Sequence, residues 1–410
     1  MGLQTLMCSM LFLMATPLLA QETQKVNKEF ARGNFIHDVE IILMEDSIQK
    51  AATEEELEDF YNAFFIKPGT TFNPITVDLA MSRIVMQDIV KNAYYELYDS
   101  KIGSGTVNRS LKIIIYIEIL GDNEKKSVEK GILTSKKLAD FPIIYESLKA
   151  QFKFFVNGGL GVFNDENPLV GKGKDFTIGN SVADKPAENG TRFWMETYLE
   201  PGISGISQLG KSNVYWYGEG SFLVSLRNTT DIYSSGSAAF MDIERLYTGF
   251  LATGIGKKKD ITINANYGRN FFQLNDGFLF ARTSGSANAG YRASAYLSAR
   301  TAFQKNGNLI VQCDKFRFSG HFIEPQELFE DKQLNTNYAI GTFNYNNNKN
   351  LDVGVSYIST TGGKASYAIP LGRIDKKGMY VINPKLWLSN IANTGLFFKS
   401  EFAYQAHATE

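Results

Sequence analysis

Ser221-Phe222-Leu223-Val224-Ser225-Leu226-Arg227 is the stretch on which the reading of the chain turns. Phe222, Val224 and Leu226 alternate with Ser221, Ser225 and Arg227, so an extended backbone here has one apolar face and one polar face. The same period recurs downstream. Ile261, Ile263, Ala265 and Tyr267 alternate with Thr262, Asn264 and Asn266, and Phe316, Phe318 and Phe322 oppose Lys315, Arg317, Ser319 and His321. Ala293, Ala295, Leu297 and Ala299 oppose Arg292, Ser294, Ser298 and Arg300, and Leu351, Val353, Val355 and Tyr357 oppose Asp352, Gly354 and Ser356. Polar turn clusters at 256–259 and 346–350 separate the runs, and no helix-length apolar pattern intervenes.

A soluble sandwich and a membrane barrel share this alternation, so the strand ends decide between them. Aromatics crowd there: Phe193-Trp194, Tyr215-Trp216-Tyr217, Phe271-Phe272, Phe278, Phe280, Tyr380, Trp387 and Phe397-Phe398. Girdles at two membrane interfaces would place them so. A sheet in lipid has to close on itself, because open edges leave backbone groups without partners, and its polar faces then line a lumen. About a dozen strands fit between 152 and 404, with an even number expected.

The start of the chain agrees with export. Residues 1–20 run apolar from Leu6 through Leu13 and end in Leu18-Leu19-Ala20 before the polar Gln21-Glu22-Thr23-Gln24, which reads as a cleaved signal peptide. Cys8 leaves with it, and Cys313 alone cannot form an internal disulfide. Charge nearly cancels, 42 Lys+Arg against 43 Asp+Glu, which argues against nucleic acid as a partner. His37, His321 and His407 stand far apart without partner motifs, so no metal site, no cofactor and no enzyme activity are expected. The segment Gly205-Ile206-Ser207-Gln208-Leu209-Gly210-Lys211-Ser212 spells a phosphate-binding loop. Such a loop needs a helix after it, whereas Asn213-Val214-Tyr215-Trp216-Tyr217 reads as strand, so a hairpin turn is expected.

Residues 35–120 mix α and β. A strand candidate at 37–43 is followed by Thr53 and Glu56, a capping box that opens a helix to about Phe65. Lys67-Pro68-Gly69 breaks it, and Asn73-Pro74 starts a second helix with Ile75, Leu79, Met86, Ile89 and Val90 on its apolar side. Tyr94-Tyr95-Glu96-Leu97-Tyr98 and the run Ile113, Ile115, Ile117, Ile119 complete a β-α-α-β-β order. With Phe72 after the break and Ala93-Tyr94-Tyr95 after the second helix, this segment resembles a POTRA module. The resemblance implies a periplasmic domain ahead of an outer-membrane barrel, whose sheet edge takes a strand from a periplasmic partner or client. Residues 121–147, with Lys125-Lys126 and Lys136-Lys137, read as the linker.

Residues 148–410 are read as the barrel. Trp194, Glu196, Leu199 and Pro201-Gly202, then Tyr267-Gly268-Arg269-Asn270-Phe271, Asn275-Asp276-Gly277-Phe278-Leu279, and Arg300 with Ala302-Phe303 resemble the porin-like outer-membrane barrels grouped with alginate export proteins. That resemblance implies a passive channel whose arginine-lined lumen attracts acidic sugars. The residues themselves put Arg227, Arg292, Arg300, Lys315, Arg317 and Lys399 on the polar faces, against Glu196, Asp352 and Glu401. A basic balance of that kind favours anions in a pore. The alternative use of the same residues is pairing across the lumen, which stiffens it. Arg269 shares the parity of Tyr267 and joins the lumen set if a bulge after Gly268 turns it inward.

The expectation is therefore a mostly β protein: a transmembrane antiparallel β-barrel preceded by a small α+β domain. It lies in the cell outer membrane among its lipids, with the N-terminal domain in the periplasm, and passes small anionic or sugar-acid solutes. A POTRA-barrel transporter for polypeptide secretion or outer-membrane assembly is the alternative. The stretch 405–410 lacks the terminal aromatic of bacterial barrel strands, so either the last strand is atypical or the barrel is short of strands at its C-terminus.

Overall fold

A computed structural model describes residues 25–407 apart from 46–47, 101–109, 121–141, 148, 167–190, 229–237, 257–260, 276, 281–296, 298–301, 326–335, 348–350, 367–372 and 392–395. The leader 1–20, most of the linker, Arg292 and Arg300 lie outside the described residues. The protein is mostly β, with two helices longer than a turn among the described residues.

The N-terminal part has the β-α-α-β-β order. Strand β1 (Phe35–Glu45) and a short β2 (Ile48–Lys50) precede the helices Glu54–Ala63 and Pro74–Val85, and β3 (Val90–Ser100) and β4 (Ser110–Ile119) follow. The sheet runs β2-β1-β4-β3, with β1 parallel to β4 because the two helices return the chain to the same end. Thr53 and Glu56 cap the first helix reciprocally, Glu56 N donating to Thr53 Oγ1 at 3.3 Å and Thr53 N to Glu56 Oε2 at 2.9 Å. Asn73 caps the second by accepting from Ile75 N at 3.0 Å, with Pro74 at the first helical position. Ile113, Ile115 and Ile117 are buried against Phe60, Phe64, Leu79 and Ile84 in one core. The second helix stops at Val85, earlier than its apolar pattern suggested: Met86 caps it, Ile89 is exposed and Val90 opens β3.

That helix is not amphipathic in its burial. Eleven of its twelve residues, Asp78 and Ser82 included, are buried, so a second body must cover the face turned away from its own sheet. The second body is the large sheet. Its strands are β5 (Ile143–Glu146), β6 (Ala150–Glu166), β7 (Thr191–Gln208), β8 (Val214–Arg227), β9 (Ala238–Ile255), β10 (Ile261–Asn270), β11 (Phe303–Cys313), β12 (Phe316–Glu324), β13 (Asn337–Asn346) and β14 (Leu351–Gly362). After a small hairpin, β15 (Lys364–Ser366) with β16 (Arg373–Asp375), come β17 (Met379–Ile391), β18 (Leu396–Glu401) and β19 (Tyr404–His407). All pairings in this 13-stranded sheet are antiparallel, and they join sequence neighbours except for β14 with β17 and β17 with β19. Both β18 and β19 pair with β17, one after the other along it, so the sheet is twelve strands across. Its margins are β5 and the β18–β19 line, and among the described residues no backbone pairing joins them. Ile143–Glu146, inside the segment read as linker, is thus a margin strand.

The alternation read from the sequence is the alternation of faces. Phe222, Leu226, Tyr267, Phe318, Phe322, Val353, Val355 and Tyr357 are exposed on one side, while Ser221, Ser225, Arg227, Asp352 and Ser356 are buried on the other. The hairpin connections also divide by end. Those from β5 to β6, β7 to β8, β9 to β10, β11 to β12, β13 to β14 and β17 to β18 leave two to five residues between strands. Every connection at the opposite end leaves ten or more. Residues 209–213 form one of the short turns, closed by Leu209 N donating to Val214 O at 2.8 Å with Gly210 at φ 66, and strand β8 follows directly. The phosphate-loop spelling is therefore a hairpin turn.

Candidate functional site

The strand-end aromatics divide between the two faces. Phe193, Phe397 and Phe398 are exposed on the strands, Phe278 is exposed in the connection after β10, and Trp194, Tyr215, Tyr217, Phe272 and Trp387 are buried. Only Phe193, Phe397 and Phe398 have the exposed strand position that a girdle requires. The buried group faces inward, and Tyr215 and Tyr217, with Ile206, Tyr247 and Leu251, share one apolar cluster with the core of the small domain.

The small domain is held to the polar face by buried charge. Arg32 is hydrogen-bonded to Glu219; Arg245 reaches Glu219 at 2.5 Å and Glu200 at 2.6 Å, and Ser221 donates to Glu200 at 2.6 Å. Phe155 lies beneath both guanidinium groups, 5.2 Å from that of Arg32 and 4.7 Å from that of Arg245. Asp78, on the second helix, takes Lys153 of β6 at 2.5 Å and Tyr95 at 3.0 Å. Asn73 donates to the Tyr247 hydroxyl at 3.1 Å, and the His37 ring lies 6.2 Å from Trp387 of β17. In a flat sheet β6 and β17 stand nine spacings apart, about 43 Å at the usual strand separation. A domain of about 100 residues, with a radius of gyration near 13 Å, does not span that distance. The sheet is therefore curled around the small domain, its polar face inward. Lys153, Tyr215, Leu251, Arg317 and Trp387 all lie toward the short-turn ends of their strands, so the domain enters from that end.

A second body crosses the concave side. After β10 the chain folds inward, so that Phe272 and Leu274 pack on Phe303, Ile323, Ile340, Ile358 and Val381 of successive strands. Asn275 donates to Asn383 at 3.2 Å and to Glu401 at 3.3 Å. Between this segment, the small domain and the wall of β8 to β13 lies a cavity of about 140 Å³. Its wall is a side-chain relay. Tyr217 donates to Asn264 at 2.6 Å and accepts from Asn266 at 3.1 Å; Asn308 donates to Asn266 at 2.8 Å; His321 joins Asn308 at 2.7 Å and Ser319 at 2.9 Å.

The residues expected to line a pore take several positions. Arg227 stands opposite Glu196 in register, both buried, and Glu196 accepts from Leu297 N at 3.2 Å. Asp352 is bonded by Lys385 at 3.0 Å, and Lys399 lies 4.2 Å over Trp387. Arg317 faces the cavity and lies against Gly69 of the small domain, whereas Lys315 is exposed in the turn from β11 to β12. The strand pairing of β10 does shift between Gly268 and Asn270; Arg269 nevertheless pairs with the exposed Leu246, and its Nε donates to Glu244 O at 3.0 Å. Sequence reasoning missed Glu200, Glu219 and Arg245. The first two share the inward parity of Glu196 and Ser221, so the signal was present. Arg245 was hidden by a bulge at Glu244 that shifts the parity of β9.

Outside the strands, burial of Lys67 at the docked tip of the small domain pushes its ammonium below the usual lysine range, with Asp314 opposing the shift. Among the described residues no helix is long and apolar enough to cross a membrane, and no group of three His, Cys, Asp or Glu is placed to hold a metal ion. Compared with known proteins, the chain matches no family model and none of the curated proteins.

Proposed function

We propose that the protein is an outer-membrane β-barrel channel for small polar solutes, closed in the conformation described by its own POTRA-like N-terminal domain. The observation that carries this is the curled antiparallel sheet with a continuous exposed apolar face, a polar inner face, and short turns at one end against long connections at the other. That asymmetry matches the pattern of outer-membrane barrels, with short turns on the periplasmic side, and it supports a small domain seated in a periplasmic mouth. Joining of the two margins satisfies the backbone groups they leave open. The cations at Arg32, Arg245 and Lys385 are each bound to a carboxylate, so the reading carries weak charge selectivity rather than the strong anion preference of a basic lumen.

The test is conductance of the purified full chain in planar bilayers. Arg32→Gln with Asp78→Asn, which loosens the domain, raises the open fraction several-fold. Asn73→Cys with Tyr247→Cys, bridged by a short bis-maleimide after Cys8 and Cys313 are changed to Ser, holds the channel shut. Absence of conductance in every state, or a processed chain that is a compact monomer without detergent, overturns the reading. Polypeptide transport is the second reading. It is favoured by β1, whose outer edge is paired with β2 from Leu43 to Glu45 and with Gly69 and Thr70 at Ile36, so that the stretch between them is where a client strand would add.

A further inference from the structure

We infer that the cavity beneath the docked domain is a binding site for a neutral sugar of about monosaccharide size. The inference rests on the channel reading only for its physiological sense, since the site itself is defined by its walls. Nine amide side chains line it among the described residues, together with seven hydroxyls; there is no carboxylate and no lysine, and Arg317 is the one cation. The relay through Tyr217, Asn264, Asn266, Asn308 and His321 fixes the orientation of these groups before any ligand arrives, which lowers the entropy lost on binding.

One acceptor is left over. Gln273 is 7% exposed, its Nε2 donates to Asn275 O at 3.2 Å, and its Oε1 is buried with no hydrogen-bond partner. Gln273 stands in the cavity lining, so its unpaired amide oxygen is the acceptor that a ligand donor completes once the side chain turns toward the cavity. Ligand hydroxyls both donate and accept, and so match side-chain amides, which do the same. Phe271 and Phe272 add apolar surface for the C–H face of a sugar ring. A carboxylate ligand would find a single cation already packed on Gly69, so a neutral polyhydroxyl compound fits the lining better.

The size agrees with the chemistry. A water requires roughly 10–15 Å³ of such volume, so the cavity holds on the order of ten waters, a number that a pyranose replaces by supplying its own hydroxyls.

The experiment is calorimetric titration of the detergent-solubilised full chain with glucose, galactose, xylose and galacturonate. Saturable binding of at least one neutral sugar, tighter than that of galacturonate, is expected. Gln273→Met weakens it about tenfold or more while the β-sheet dichroism is unchanged, and Gln273→Glu, which keeps an acceptor at that position, recovers part of the loss. Failure of all three neutral sugars to bind wild-type protein overturns the inference, as does equal binding by the Gln273→Met variant. If Gln273→Met does not fold, the wild-type titrations decide. Sugar binding by a protein that never conducts removes the channel reading and leaves the site; conductance without sugar binding does the reverse.

Discussion

Arg245 shows how much a single residue carries in this protein. Its side chain is 1% exposed and joins two buried carboxylates, Glu200 and Glu219, the second of which it shares with Arg32. Replacing one member of such a group costs about 3–5 kcal/mol, because the partners stay behind in a low-dielectric site. Arg245→Met therefore lowers the denaturant midpoint strongly, and adding Glu200→Gln restores part of it, as equilibrium unfolding in detergent can measure. Glu96 provides a pH-dependent counterpart outside the large sheet. Hydrogen bonds from Lys25 and Tyr98 hold its carboxyl below the usual range. A depressed carboxyl stabilises above its unfolded value, about 4.3, and the contribution is lost as pH falls through the folded value. The N-terminal segment, tied to β3 by Lys25–Glu96 and by Val26 N to Leu97 O at 2.8 Å, is expected to loosen below about pH 4. A lower protection factor at Val26 at pH 3.5 than at pH 6, each taken against the intrinsic exchange rate at that pH, would report it; an unchanged protection factor would show that the ion pair does not hold the segment.

Among the elements, β9 and β10 are where sequence and structure part company. The alternation in β8, β12 and β14 was legible because their side chains keep strict period two. In β9 an extra residue at Glu244 moves Arg245 to the polar face, and such a bulge leaves no mark in hydropathy. The inward aromatics look like a girdle in sequence for a related reason: strand-end Trp and Tyr are equally at home against lipid headgroups and against another domain, and only tertiary contact distinguishes the two. The cavity wall was legible as the polar face of β10, through Thr262, Asn264 and Asn266, but its covering by residues 271–275 was not. Gly268 carries a testable constraint here. Its φ is 140, and a Cβ would stand 2.2 Å from Leu246 O, so Gly268→Ala forces the paired backbones apart. A loss of about 1–3 kcal/mol in the unfolding free energy is expected; a change within 0.5 kcal/mol would mean the bulge relaxes freely.

For the whole molecule, the exposed apolar face is the largest single feature. Phe318, Phe322, Val355, Tyr357, Phe222 and Leu246 lie on one surface, far more than a soluble monomer usually leaves open. On the membrane reading Val355→Arg costs about 2–4 kcal/mol near the bilayer midplane. Folding titrations into lipid vesicles measure this, and a neutral outcome would place that surface against protein rather than lipid.

The two margins of the sheet meet the same small domain, Lys153 near one and Trp387 near the other. The strands thus resemble sheet metal rolled on a mandrel: how tightly they bend is set by the body they were bent around. A mandrel has to be in place before rolling starts. The chain order supplies that sequence of events, since the compact N-terminal piece, with its own apolar core, can emerge and set ahead of the strands that wrap it.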